Sequence, residues 1–507
     1  MHVSSRIAGS PALPAGRLVG FLLCGLGACG DAAQQERAAR SEGSSSPPAV
    51  AQSGPNPLRV GVAADIDNVS YLLAAAAEHS PGLTVLYPDA FPKHFWINNF
   101  DSTDDYLLWH VDAGSGGEFR VTALLSAPGG ETFRLEQPKA GTATGFVKDL
   151  DGWSRQEAGV VRLPAGTSTL RLVRTSEHGN AEVKSLELVR SEDVLGREAR
   201  IAEFRADTSE FSKAGYGLML QYGPWGYPRS GLRKSLEEQT DDFDVPAFVE
   251  TVEETGASWV IWSLTWWEYR MNAPIAAVDR LIGNGDRTSS RDLVGEIMTA
   301  LDAAGIGFFL YYHRGHEDDP WFAADVFPPT EFTLRGTGDR SALFDSWIEI
   351  VTEIGERYGE KLDGWFFDDG VVYYPAPFES LGQAARAGNP KRLISWNAWV
   401  SASVTEFQDV MFGEGHHGEV IAGSAGIDGN GILTGGPSAG LLEHGMFMTA
   451  DDWGIHEENQ AFEVRVTPEQ ARAWIDAGAE RNVPLSFTLL MWQDGTVPPA
   501  SLDLFVQ

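Results

Sequence analysis

The sequence predicts a β-sandwich followed by a (β/α)8 barrel of TIM type, two domains in one chain. Three observations lead there. The chain has 507 residues, too many for one ordinary domain and enough for two. Residues 58–195 follow a period of two broken by Pro- and Gly-containing turns, which is strand patterning. Residues 211–507 alternate amphipathic helices with short apolar strands over short connections, and about eight such strands can be marked.

Ahead of both lies an address. Arg6 and Arg17 precede an apolar run, Leu18 to Leu26, too short to span a bilayer and shaped like a secretory signal. Its end, Leu26-Gly27-Ala28-Cys29, resembles a bacterial lipobox. That resemblance implies a signal peptide over residues 1–28, cleavage before Cys29 and lipidation of its thiol; an ordinary signal peptide is the alternative. Cys24 and Cys29 are the only cysteines, so the expected mature chain has no disulfide and no cysteine metal site. Residues 29–57, rich in Ala, Ser, Gln and Pro, read as a flexible tether. The expected location is the bacterial cell envelope, at the outer membrane or cell surface, with the membrane touched only through the lipid. Acidic residues number 71 against 38 basic ones, a net charge of −33, which excludes nucleic acid as the main partner because no basic stripe is available for phosphates.

In the first domain, Phe119, Val121, Ala123 and Leu125 alternate with other residues, as do Leu170 and Leu172, and Leu186 and Leu188. Pro128-Gly129-Gly130 and Gly141-Thr142 separate the runs. Tyr71 to Ala77 is helical in propensity and stands out as an exception. The succession Asp105-Tyr106-Leu107-Leu108-Trp109, Gly117 to Val121 and Leu163-Pro164-Ala165-Gly166 resembles the jelly-roll carbohydrate-binding modules appended to glycosidases. On that resemblance Trp96 and Trp153 either stack on sugar faces or plug the sandwich core, and the module either binds glycan or acts as a spacer.

In the second domain, Asp244 caps a helix with Pro246 in its first turn and Phe248, Val249 and Val252 on its apolar face; Gly256 stops it before the strand Ser258 to Trp262. Leu293, Val294, Ile297 and Leu301 line the next helix, ended by Gly305 before the strand Ile306 to Tyr312. Trp347, Ile350, Val351, Ile354 and Tyr358 mark a third, before the strand Leu362 to Asp368. Thr467-Pro468-Glu469-Gln470 is a capping box, and the strand Leu485 to Met491 follows its helix. The remaining strands are Tyr216–Gln221, Leu393–Ser395, Asp409–Phe412 and Met446–Thr449. A doubly wound sheet lacks the Gly-rich phosphate loop it would need.

A barrel of this kind carries its site at the C-terminal strand ends. There the chain places Gln221 and Trp225, Trp266-Trp267-Glu268, Tyr312-His313, Phe366 with Asp368-Asp369, Asn397, Glu414 with His416 and His417, and Trp453 behind Asp451-Asp452. Aromatic rings stack on sugar C–H faces, and two carboxylates suffice for glycosidic hydrolysis. Successive strand residues face opposite ways, so one of Asp368 and Asp369 faces the axis, and Asp368 is the choice. The histidines lack regular ligand spacing, so neither metal nor cofactor is expected.

Residues 216–456 resemble the α-L-fucosidase family of retaining glycoside hydrolases. The matching segments are Gly217-Leu218-Met219-Leu220-Gln221-Tyr222-Gly223-Pro224, Ser289 to Val294 followed by Leu310-Tyr311-Tyr312, and Leu362-Asp363-Gly364-Trp365-Phe366-Phe367-Asp368. The resemblance implies Asp368 as nucleophile and Glu414 as acid/base, with Glu443 the alternative acid; the strand-end pair leaves Asp369 as the alternative to Asp368. The strand-end residues expected to contact the substrate are Gln221, Trp225, Trp266, Trp267, Glu268, Tyr312, His313, Phe366, Asn397 and Trp453. The chain departs from the family at Gln221, where His is usual, at Thr265-Trp266-Trp267, where Lys-His-His is usual, and near Trp399, where Arg is usual. These departures exchange polar sugar recognition for stacking. The expected partner is an oligo- or polysaccharide and the expected activity retaining cleavage of an α-linked, fucose-like sugar. A catalytically degenerate glycan-binding lipoprotein is the alternative, and a lyase using Arg314 a more remote one.

Overall fold

The structure, a computed structural model, describes residues 58–59, 67–86, 96–148, 152–176, 179–266, 268–283, 285–313, 341–368, 374–397, 403–411, 426–434 and 438–505. The signal segment, Cys29 and the tether lie outside the described residues, as do Trp267, Arg314, Asp369, Trp399, Glu414, His416 and His417.

Residues 58–190 form two six-stranded, largely antiparallel sheets. Their alternating residues meet in one apolar core that holds Leu72, Trp109, Phe119, Val121, Phe133, Leu172 and Leu186, an arrangement compatible with the expected sandwich. Tyr71 to Ala77 is not helical. Ser70–Leu73 is a strand paired with Glu182–Arg190, and a single 3-10 turn, Ala74–Ala76, follows. Three alanines cannot nucleate a helix alone, and burial of Leu72 and Leu73 on opposite sides of the strand decides the outcome. Trp96 and Trp153 are not in the sandwich core; they meet edge to face at 5.3 Å, with Trp153 packed on the barrel-side cluster. That cluster also takes in Leu73 and Leu124, so the sheet bearing them is covered by the barrel.

Residues 216–489 supply a nine-stranded, wholly parallel sheet. In spatial order it runs Leu442–Glu443, Val410–Met411, Leu393–Trp396, Gly364–Phe367, Gly307–Tyr312, Trp259–Thr265, Tyr216–Leu220, Leu485–Leu489 and Gly445–Met448. The two end strands are consecutive in the chain and interrupted only at His444. Together they act as one staggered strand, so the sheet is a nearly closed barrel, compatible with the (β/α)8 expectation. Counted this way, strands one to eight follow chain order. Helices Val245–Thr255, Leu293–Ala303, Ser341–Tyr358, Phe378–Ala385 and Pro468–Arg481 lie between them.

The caps are those read from the sequence. Asp244 accepts from the Ala247 N–H at 3.1 Å, and Gly256 takes the left-handed conformation at φ 73°. Thr467 and Gln470 complete the capping box. Arg392, fully buried, donates to the carbonyl oxygens of Gly355, Gly359, Leu362, Ala385 and Ala387, tying the ends of two helices to strand five. Desolvation lowers its guanidinium to about 10.

Strand residues divide between two clusters. Met219, Trp259, Ile261, Phe309, Tyr311, Phe366, Leu393, Val410, Leu442 and Met446 fill the barrel interior. Leu218, Leu220, Val260, Trp262, Phe308, Leu310, Tyr312, Trp365, Phe367 and Trp396 pack instead with the helices. Phe211, just before strand one, sits against Trp259 at 4.8 Å and Phe309 at 5.0 Å and stops the N-terminal end of the barrel.

Candidate active site

Strands three, four and five end in register. Tyr312 pairs with Phe367 and Phe367 with Trp396, so His313, Asp368 and Asn397 follow as the next row. The row is held by backbone bonds: the Asp368 N–H donates to Tyr312 O at 3.0 Å and the Asn397 N–H to Phe367 O at 2.8 Å. Asp368 shares the alternation of Phe366, which faces the interior, and is 8% exposed.

Its carboxylate is oriented on both oxygens. Asn397 Nδ2 donates to Oδ1 at 2.8 Å, and the Tyr311 hydroxyl donates to Oδ2. These two donors, one on each oxygen, restrain the rotation of the carboxylate. Tyr311 itself is fixed by stacking at 5.7 Å on Phe366, its register partner on strand four.

The aromatic part of the rim is built in depth. Trp225 is 3% exposed and meets Trp266 edge to face at 4.8 Å, so it buttresses Trp266 rather than facing outward. Trp266 and Trp453 are half-buried and pack on the top of the interior cluster. Gly454 permits this: a Cβ there would lie 2.4 Å from the Trp225 ring and 3.3 Å from that of Trp266. Asp451 and Asp452 serve the turn that presents Trp453. Asp451 accepts from the Glu463 N–H at 3.0 Å, and Asp452 accepts from Trp453 N–H at 2.7 Å and from Gln460 at 3.1 Å.

Gln221 continues the inward alternation of Met219 at the end of strand one. It is 4% exposed, and its side-chain oxygen has no hydrogen-bond partner among the described residues. A buried amide left this way costs about 1–3 kcal/mol, a cost that a ligand hydroxyl or water would remove.

Several expected residues stand elsewhere. Tyr312 faces the helix layer, where its hydroxyl bonds that of Tyr269 at 2.9 Å and its ring meets Trp365 and Phe367. Tyr311, not singled out from the sequence, takes the inward position. Glu268 pairs with Arg270 at 3.4 Å and Arg233 at 3.8 Å outside the row, so its carboxylate neutralises arginines. Phe366 lies beneath Asp368 as packing. Glu443 is fully buried between Leu442 and His444, both directed inward, so the alternation turns it away from the barrel interior. His313 is buried, its backbone N–H donating to Thr265 Oγ1 at 3.1 Å. Glu414 stands three positions beyond Met411, the last residue of strand six, outside the described residues.

Deeper in the barrel, His444 Nε2 bonds Ser486 Oγ at 2.9 Å, and Trp259 Nε1 donates to the same oxygen at 3.2 Å. Burial drives the His444 imidazole down to about 3, so it is neutral at ordinary pH. Among the described residues no group of three His, Cys, Asp or Glu side chains is placed to hold a metal ion.

No protein-family model matches the chain, and no curated protein matches it. Among solved structures, it is similar to the endo-fucoidan hydrolase MfFcnA4 of glycoside hydrolase family 107, at 18% identity and a TM-score of 0.44 over 59% of this chain and 52% of that one. A second endo-fucoidan hydrolase of that family, MfFcnA9, matches at 17% identity and 0.45 over 59% and 62%. The α-L-fucosidase AlfC from Lactobacillus casei matches at 15% identity and 0.41, over 61% of this chain and 96% of that one. The chain thus spans about half the length of the MfFcnA4 hydrolase it matches. Likeness this distant assigns no activity to the chain.

Proposed function

We propose that the chain is a retaining glycoside hydrolase that cleaves an α-linked, fucose-like sugar from a glycan. The observation that carries this reading is the Asp368 carboxylate, bonded on both oxygens by Asn397 and Tyr311 at the C-terminal end of strand four. Asp368 attacks the anomeric carbon and forms a glycosyl ester as the bond to the leaving oxygen breaks. Glu414 gives its proton to that oxygen. In the second half Glu414 takes a proton from water, the resulting hydroxide displaces Asp368 from the anomeric carbon, and the carboxylate is regenerated with retained configuration. This outcome needs the two carboxyl groups roughly 5–5.5 Å apart. Trp266 and Trp453 stack on the sugar's C–H face while Gln221 and His313 bond its hydroxyls. The proposed layout of the chain is signal 1–28 with Cys29 lipidated, tether 29–57, jelly-roll module 58–195 and catalytic barrel 211–507.

The test is a panel of aryl glycosides of L-fucose, L-galactose and related sugars, run with the native chain and with Asp368→Ala. Phenol release by the native chain alone supports the reading. Equal release by the variant overturns it, and tight glycan binding with no release by either supports the degenerate alternative.

A further inference from the structure

Tyr374 and Glu406, which lie beyond Asp368 and Asn397 in the chain, both bond side chains of the N-terminal sheets. Tyr374, six positions beyond Asp368, is 1% exposed. Its hydroxyl bonds Ser185 Oγ at 2.6 Å and donates to Glu187 Oε1 at 2.7 Å, and Tyr71 meets its ring edge-on at 5.2 Å. Glu406, nine positions beyond Asn397, is paired with Arg155 at 3.0 Å and Arg197 at 2.9 Å. Arg155 also donates to Glu187 at 3.3 Å, which joins the two anchors into one network. Burial by itself would raise the Glu406 carboxyl, but the two guanidinium groups hold it down at about 2.

From Glu406 the contacts continue to Asp368. Gln408 donates to Thr405 O at 2.8 Å and accepts the Trp396 N–H at 3.0 Å. Trp396 precedes Asn397, whose amide holds Asp368 Oδ1. From the Tyr374 side, Phe378 meets Trp396 edge-on at 5.0 Å, and Trp396 stacks at 4.4 Å on Phe367, the residue before Asp368. Burying this many charges adds little to stability compared with an apolar contact of the same size. What such a network supplies is one defined geometry, and here that geometry ends on the carboxylate.

We propose that the N-terminal sheets are a positioning element of the candidate active site, with Glu406 and Tyr374 as positioning residues acting through Asn397 on Asp368. This goes beyond a spacer or a separate glycan-binding module, and it rests on the reading of Asp368 as nucleophile. The experiment uses the full chain with Glu406→Gln, Tyr374→Phe, Asn397→Ala and the double variant Glu406→Gln/Asn397→Ala. Amide hydrogen exchange at residues 395–397 is expected to quicken about tenfold in Glu406→Gln while residues 216–220 are unchanged. On the aryl glycoside that the native chain turns over, kcat is expected to fall about tenfold with KM within about twofold, and Glu406→Gln to add nothing further on Asn397→Ala. Should Glu406→Gln fail to fold, Tyr374→Phe, which loses only a hydroxyl, carries the same readouts. Unchanged exchange at 395–397, exchange raised across the whole barrel, or additive losses in the double variant overturn the proposal. If the native chain turns over no glycoside, the enzyme reading fails, while local quickening at 395–397 still supports the clamp.

Discussion

Asn397 and Asp368 end adjacent strands, and a 2.8 Å bond from the Asn397 amide holds one carboxylate oxygen while Tyr311 holds the other. Neither partner needs to touch the sugar for its loss to matter. A hydrogen bond to a charged group contributes about 1.5–3 kcal/mol, so Asn397→Ala and Tyr311→Phe are each expected to lower kcat by roughly 10- to 100-fold. Steady-state kinetics on an aryl glycoside checks this; unchanged kcat in both variants contradicts it.

Gln221 gives two effects of opposite sign. Gln221→Leu removes a buried amide whose oxygen has no partner among the described residues and is expected to stabilise the free chain by about 1 kcal/mol. The same change is expected to weaken sugar binding about tenfold. Thermal unfolding and calorimetry read the two separately, and a destabilised variant with unaltered affinity contradicts the assignment.

Gly454→Ala tests the tryptophan rim without removing a ring. Its Cβ would fall 2.4 Å from Trp225, so the Trp225–Trp266 pair has to move, at a cost of about 1–3 kcal/mol. Raised KM with a lowered melting temperature is expected; an unperturbed KM shows that Trp266 does not touch the substrate.

His444 sets an acid limit on stability. Its imidazole is held near 3 by burial, below the ordinary 6.5, so the unfolded chain binds a proton between those values and the folded one does not. Its contribution is complete above pH 6.5 and is lost as pH falls, by up to about 1.4 kcal/mol per pH unit. His444→Gln is expected to flatten the stability profile between pH 6.5 and 4 in urea titrations; an unaltered slope contradicts the burial argument.

Much of the barrel is legible in the sequence because its parallel strands are short apolar runs, several of them next to helices with readable caps, and each of the eight expected runs contains a strand. Asp368 is legible because it closes one of them. The phase of a strand buried on both faces is not: in Gly307–Tyr312 every residue but the first is buried, so hydropathy cannot say which tyrosine faces inward. Counting back two from His313 selects Tyr311, and Tyr312 and His313 as neighbours cannot both face the axis. Nothing local in the sequence announces Arg233 and Arg270 beside Glu268. The Arg155–Glu406 bond joins residues far apart in the chain, and no periodicity carries such information.

Of the candidate acids, Glu414→Gln is expected to abolish turnover of poor leaving groups and, with an activated aryl glycoside, to release one burst of phenol and then stall because the second displacement has lost its base, while Glu443→Gln is expected to keep full turnover of both. A reversed pattern, read from kcat against leaving-group pKa, moves the proton donor to Glu443.

The most direct measurement is covalent capture. An activated 2-deoxy-2-fluoro fucoside slows the second displacement, so the intact chain is expected to gain one glycosyl mass, and peptide mapping is expected to place it on Asp368. A label on another carboxylate, or turnover with inverted configuration and no adduct, contradicts the assignment of Asp368 as nucleophile.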